Sequence, residues 1–156
     1  MRIAICAVGR LRAGPERELI DDYLTRFERT GRAIGLGPAS MVEVEDRKGG
    51  GMSAEAALLE RTLPKAAVVI ALDERGTLLS SPAFAKRLGD WRDQGQSDLT
   101  FIIGGADGLA PELRRRSDFS LSFGQMVWPH ILARVMLAEQ LYRAATILSG
   151  GPYHRA

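Results

Sequence analysis

The stretch Lys65 to Asp73, KAAVVIALD, has no polar face, and within it Ala66 to Leu72 is the longest uninterrupted apolar run of the chain. A strand with one face in water alternates apolar and polar residues; a strand covered on both faces need not. The run therefore suits the centre of a parallel sheet with helices on either side. It is far short of the ~20 residues that a membrane-spanning helix requires. Residues 2–8 (RIAICAV) and 99–103 (LTFII) carry the same buried-strand signature and stop at glycine, Gly9 and Gly104-Gly105. Residues 41–45 (MVEVE) alternate like a strand with one wet face, and 119–122 (FSLS) read as a short last strand.

Helical patterns separate these runs. Residues 15–29 place Leu19, Tyr23, Leu24 and Phe27 at helical spacing behind Pro15. Ser53 is read as the cap of a helix to about Leu63, and Ser81-Pro82 as the start of another to about Gln94. Pro111 to Arg116 forms a short helix, and Pro129 to about Leu148 the longest one. Thr30 to Ser40 is a glycine-rich loop, and Asp46 to Gly51 (DRKGGG) a mobile basic loop. Strands alternating with helices imply an α/β fold with a mostly parallel sheet flanked by helices. The 156 residues suit a single domain over 1–156, with no internal repeat and no boundary signal.

Composition narrows the function. With 46% hydrophobic and 26% charged residues the chain is ordinary globular protein. One cysteine, Cys6, excludes an internal disulfide framework and a cysteine-cluster zinc site, and within the first strand it reads as an inert core residue. His130 and His154 have no partners at metal-ligand spacing, so no metal is expected. The apolar stretch Ile3 to Val8 is too short for a signal core, which makes the cytoplasm the expected address, with no membrane partner. The net charge is only +2, against the larger surplus usual for proteins that grip nucleic acid by charge alone.

Ligands of open parallel sheets bind beyond the carboxyl ends of the strands. Three loops qualify: Asp73 to Gly76, Gly104 to Gly108, and Ser122 to Trp128. Gly104, Gly105 and Gly108 admit a close ligand or make a tight strand-to-helix turn. They do not make the dinucleotide pattern, because position 103 is Ile, and no phosphate-binding G-x-x-x-x-G-K-[ST] exists. Phe123 to Trp128 either lines a pocket for a flat apolar ring or folds over the core. The last long helix is apolar on two sides: Ile131, Val135, Ala138, Tyr142 and Ala145 on one, Leu132, Met136 and Leu148 on another. That second side faces another subunit or lies inside the monomer.

Five segments together resemble one family. They are Ala7-Val8-Gly9, Ala71 to Gly76 (ALDERG), Phe101 to Leu109 (FIIGGADGL), Leu121 to Ala144 (LSFGQMVWPHILARVMLAEQLYRA) and Pro152 to Arg155 (PYHR). In this combination the chain resembles the SPOUT-class methyltransferases, and within them the ribosomal RNA large subunit methyltransferase H family. The resemblance covers essentially the whole chain. It implies S-adenosyl-L-methionine as cofactor, methylation of N3 of a pseudouridine in 23S rRNA, a homodimer, and a C-terminal trefoil knot. Chain-topology rules alone would choose an unknotted sheet.

Carried over by position, the resemblance implies cofactor contacts at Leu72, at Gly104, and along Phe123, Gly124, Gln125, Met126, Val127 and Trp128. A pseudouridine N3 must lose its proton to attack, and a nearby cation would stabilise the anion. Arg134, His154 and Arg155 are candidates, with Tyr153 stacking on or positioning the base. Arg134 has other readings: a dimer contact, a phosphate ligand, or a solvated helix charge. Two alternatives stand beside the enzyme: a non-catalytic dimer that binds RNA or the ribosome, and a SPOUT methyltransferase acting on tRNA. The low charge favours an already folded ribosome over a naked strand as substrate.

Overall fold

A computed structural model describes residues 1–156. Five strands, β1 (Arg2–Val8), β2 (Ala39–Val44), β3 (Val68–Leu78), β4 (Asp98–Ile103) and β5 (Phe119–Ser122), form one sheet in the order β2-β1-β4-β3-β5. Every pairing is parallel. Four helices connect them, α1 (Pro15–Gly31), α2 (Gly51–Thr62), α3 (Ser81–Asp93) and α4 (Pro111–Arg116), and α5 (His130–Ser149) follows the last strand.

The runs without a polar face are buried on both faces, as expected. Ile3, Ile5, Ala7, Ile70 and Phe101 join one core with Phe27 of α1, Leu88 of α3 and Leu141 of α5. The alternate residues Cys6, Val8, Val69, Ala71 and Ile102 join a smaller core with Leu59 of α2 and Leu113 of α4. The period-two alternation of side chains thus splits each strand between two apolar layers. Cys6 is fully enclosed, and burial pushes its thiol up, opposed by Thr62.

Several boundaries differ from expectation for local reasons. Thr30 and Gly31 belong to α1, a short 3₁₀ turn occupies Arg32–Ile34, and β2 already begins at Ala39. Ser53 lies inside α2 and caps nothing. The loop before α2 is tied instead by Asp46, whose carboxylate accepts the backbone N–H of Lys48 at 3.1 Å and of Gly50 at 2.6 Å. Helix α3 does begin at Ser81, and Ser80 before it is the cap, accepting the N–H of Ala83 at 3.2 Å.

The largest departure is at the end of β3, which runs on through polar residues to Leu78. Leu72 and Thr77 both pair with Leu121 of β5, so residues 73–76 bulge out between two pairings to one residue. A Cβ on Gly76 would come within 2.7 Å of the Ser120 carbonyl, so only glycine lets the two strands approach so closely.

Helix α5 is embedded. Leu137, Ala138, Leu141, Ala144 and Ala145 are buried, Tyr142 meets Tyr23 of α1, and Leu148 lies against Gly89 of α3. Part of its second apolar side is therefore covered within the chain, while Leu132 stays exposed. No helix is long and apolar enough to cross a membrane.

Candidate active site

The carboxyl ends of β3, β4 and β5 face one edge of the sheet, and the loops that follow them enclose a cleft of about 600 Å³. That size is typical of a small-ligand site. The first wall is Leu72 to Arg75, the second Ile103 to Leu109, and the third Leu121 to Pro129, with His130 and Ala133 of α5 closing the side. The three loops picked out from the sequence are thus brought together. Leu72, Gly104, Phe123, Gly124, Met126, Val127 and Trp128 all line the cleft; Gln125 does not.

The glycine turn after β4 is shaped mainly by its own backbone. A Cβ on Gly104 would stand 2.4 Å from the carbonyl group of Gly108, and the Gly108 N–H donates to the Gly105 carbonyl at 3.0 Å. Gly104 is therefore required by a tight turn that doubles back on itself. It does not hold open a side-chain-sized space for a ligand. Beyond Gly124 the third wall presents apolar side chains to water: Met126 is 73% exposed, Val127 80% and Trp128 42%. Three adjacent exposed apolar residues form an unusual surface, and they flank the cleft rather than the core.

Charge in the cleft is arranged around Asp73. Its carboxylate accepts from the Arg75 backbone N–H at 2.8 Å and from Arg75 Nε at 3.0 Å, with Arg114 Nε 3.5 Å away. Burial raises this carboxyl, but the Arg75 hydrogen bonds and the two guanidinium charges outweigh it, leaving Asp73 below the usual carboxylate range. Asp107 lines the second wall, and Glu55 of α2 abuts Gly105. Burial, then the charges of Asp107 and Asp46, pushes Glu55 up. The rim on this side is acidic.

His130, at the first turn of α5, belongs to the cleft wall. Burial first, and the Arg134 charge second, hold it below its ordinary range, and its Nδ1 is buried with no hydrogen-bond partner. That nitrogen makes no bond to the backbone at the helix start.

Arg134 does not line the cleft and is not a solvated helix charge. Its side chain is 1% exposed, and its Nη2 donates to the carbonyls of Val8 at 2.7 Å and Gly9 at 2.9 Å. Its Nη1 donates to Glu43 Oε2 at 2.9 Å. The guanidinium fastens α5 to the ends of β1 and β2.

The tail is folded back on α5. Tyr153 donates to Glu139 Oε1 at 2.9 Å, its ring lies 4.5 Å from that of Tyr142, and the Arg143 guanidinium covers it at 4.8 Å. His154 Nδ1 lies 3.3 Å from Arg143 Nη1. Arg155 is exposed, and none of Tyr153, His154 and Arg155 lines the cleft of its own chain. Glu139 and Arg143, which hold this tail, were not singled out from the sequence. Their i,i+4 spacing, realised as a 2.6 Å ion pair, was the available signal.

A second groove, of about 510 Å³, shares Leu121, Phe123 and Gly124 with the cleft. Leu19 and Leu78 border it and are 45% and 60% exposed, while Glu139 lies on its wall. No group of three or more His, Cys, Asp or Glu side chains could hold a metal ion.

Comparison with known proteins adds three findings. A family model described as "Predicted SPOUT methyltransferase" matches residues 1–154. Proteins named ribosomal RNA large subunit methyltransferase H are 70% identical in Ruegeria pomeroyi and 66% identical in Ruegeria sp. (strain TM1040), each over 99% of both chains. Among solved structures, a probable methylase family protein from Haemophilus influenzae Rd KW20 shares the fold. It superposes with a TM-score of 0.52 at 14% identity, covering 99% of this chain and 70% of that one.

Proposed function

The chain belongs to the SPOUT methyltransferase family, and from that premise we propose that it methylates N3 of a pseudouridine in 23S rRNA. The methyl donor is S-adenosyl-L-methionine, and the enzyme acts on the assembled ribosome, as a cytoplasmic homodimer. The observation that carries this reading is the full-length identity, 66 and 70%, to relatives bearing the large-subunit methyltransferase name.

The cleft fits the cofactor in size and character. Its volume of about 600 Å³ suits a nucleoside with an amino-acid arm. When bound, S-adenosyl-L-methionine supplies an activated methyl group on a positively charged sulfonium. Asp107 places a carboxylate where a cation is favoured, while that of Asp73 is already held by Arg75 and Arg114. Leu72, Gly104 and the 123–128 loop would hold the group, with Met126, Val127 and Trp128 closing over it and excluding water.

The remaining task is to ionise and align an imide N–H. In this reading Arg155 and His154 stabilise the developing anion and Tyr153 positions the base. Arg134 has a supporting part only, through the strand ends it fastens. Because the tail does not line the cleft of its own chain, the reading requires a second chain to complete the site. The exposed Leu19 and Leu78 beside the second groove support such a partner, since a second copy seated there would meet the loop that also walls the cleft. The trefoil knot belongs to the same reading. Its support is the membership of the family.

The test is transfer of labelled methyl from S-adenosyl-L-methionine to intact ribosomes, free 23S rRNA and tRNA, followed by nucleoside mass spectrometry. Label in 3-methylpseudouridine from ribosomes is expected. Label confined to tRNA would overturn the substrate, and cofactor binding without any transfer would favour the non-catalytic dimer.

A further inference from the structure

We infer that the loops after β1 and β2 form a phosphate-binding shelf beside the cleft, with Arg10, Arg12, Arg47 and Lys48 gripping the RNA backbone while the target base enters the cleft. This rests on the ribosomal RNA reading above and names the surface that reading leaves unassigned.

The two loops are neighbours because β1 and β2 pair in parallel, and the Gly9 N–H donates to the Val44 carbonyl at 2.7 Å. Glu45 lies between the loops, 3.3 Å from Arg10 Nε and 3.6 Å from Arg47 Nε. Both guanidinium side chains stay open to water, at 68% and 77% exposure. One carboxylate is thus shared by two cations. Asp46 accepts the backbone N–H groups of Lys48 and Gly50 in its own loop and forms no ion pair with Arg12 or Lys48. Arg12 and Lys48 are exposed and make no ion pair. Across residues 9–14 and 45–48 the four cations meet two carboxylates, which accounts for the whole net charge of +2 and leaves the remainder of the chain neutral.

The position suits an enzyme acting on a base. All five strands are parallel, so these loops open on the same edge as the cleft. Gly9 sits against His130 of the cleft wall, and α2, which follows the second loop, brings Glu55 against Gly105. At about 4.8 Å per strand the shelf lies on the order of 10–15 Å from the centre of the cleft. A base taken out of its stack enters a pocket while its phosphates remain outside. The cleft's own rim, with Asp107 and Glu55, repels phosphate. Guanidinium forks on the neighbouring loops attract it bidentately.

The test is binding of the full-length protein to ribosomes and to protein-free 23S rRNA across a salt series. Wild type is compared with the double variant Arg12→Glu, Lys48→Glu. Affinity should fall at least tenfold, and the slope of log K against log salt should shrink by about 1.4–1.8, the loss of two phosphate contacts. S-adenosyl-L-methionine affinity and melting temperature should not move. Should charge reversal disturb folding, Arg12→Gln with Lys48→Gln gives the same reading. Wild-type affinity and slope of the folded variant on ribosomes overturn the shelf. If wild type binds with a shelf-dependent slope yet transfers no methyl, the shelf stands and the methyltransferase reading falls.

Discussion

Arg134 Nη1 and Glu43 Oε2 lie 2.9 Å apart, joining the first turns of the last helix to the second strand of the sheet. The pair is lopsided. Arg134 is 1% exposed and also satisfies two carbonyls, while Glu43 is 20% exposed and also accepts the Leu11 N–H. Burial, opposed by Glu43, lowers the guanidinium from its ordinary value. Removing one partner of a buried pair typically costs about 3–5 kcal/mol, because the other is left uncompensated. Arg134→Met should therefore lower the unfolding free energy measured in urea by about that much. Free Arg134→Met protein of wild-type stability would show that the clamp carries little.

Gly104→Ala should damage the turn rather than merely crowd the ligand. The added Cβ meets the backbone of Gly108 at 2.4 Å, and backbone cannot swing aside as a side chain can. Overpacking typically costs about 1–3 kcal/mol. A lower melting temperature together with weakened S-adenosyl-L-methionine binding in calorimetry is expected. Loss of binding at an unchanged melting temperature would place Gly104 in direct contact with the ligand instead.

His130 gives a pH dependence whose sign can be worked out. Burial and the Arg134 charge depress it below the ordinary 6.5. As pH falls through that ordinary value the unfolded chain takes the proton first, so stability is full above it and declines below. Urea midpoints between about pH 7.5 and 5.5 should fall in wild type. The fall should be shallower in His130→Gln, and identical slopes would remove His130 as its source.

Tyr153 is pushed up to about 12, first by burial and then by its bond to Glu139, so it remains a donor at any working pH. Glu139→Ala removes the acceptor of both Tyr153 and Arg143 and should free the tail to exchange amide hydrogens faster. If the tail positions the base, turnover should drop about 10²-fold while cofactor affinity holds. Normal turnover with a loosened tail would dissociate the two.

Much of this arrangement is legible in the sequence because it is local. The two-sided strands announce themselves by lacking polar residues, and Pro111–Arg116 and Phe119–Ser122 fall where proline, arginines and alternation put them. The three loops follow from the strands. The polar end of β3 is hidden because Asp73 to Gly76 reads as a loop. Thr77 and Leu78 pair with β5, far along the chain, and carry the strand past that bulge. Arg134 is hidden for a similar reason. A charge flanked by Ala133 and Val135 looks like the wet side of a helix, and only Glu43 and the carbonyls of Val8 and Gly9 make its burial tolerable.

The clamp also sets a timetable. Val8 and Gly9 emerge from the synthesising ribosome 126 and 125 residues before the guanidinium that ties them down. Until then the end of the first strand keeps two carbonyls for water, and the wall holding His130 does not exist. The fold is closed by its last helix. A nascent chain released short of Arg134 should remain open to protease.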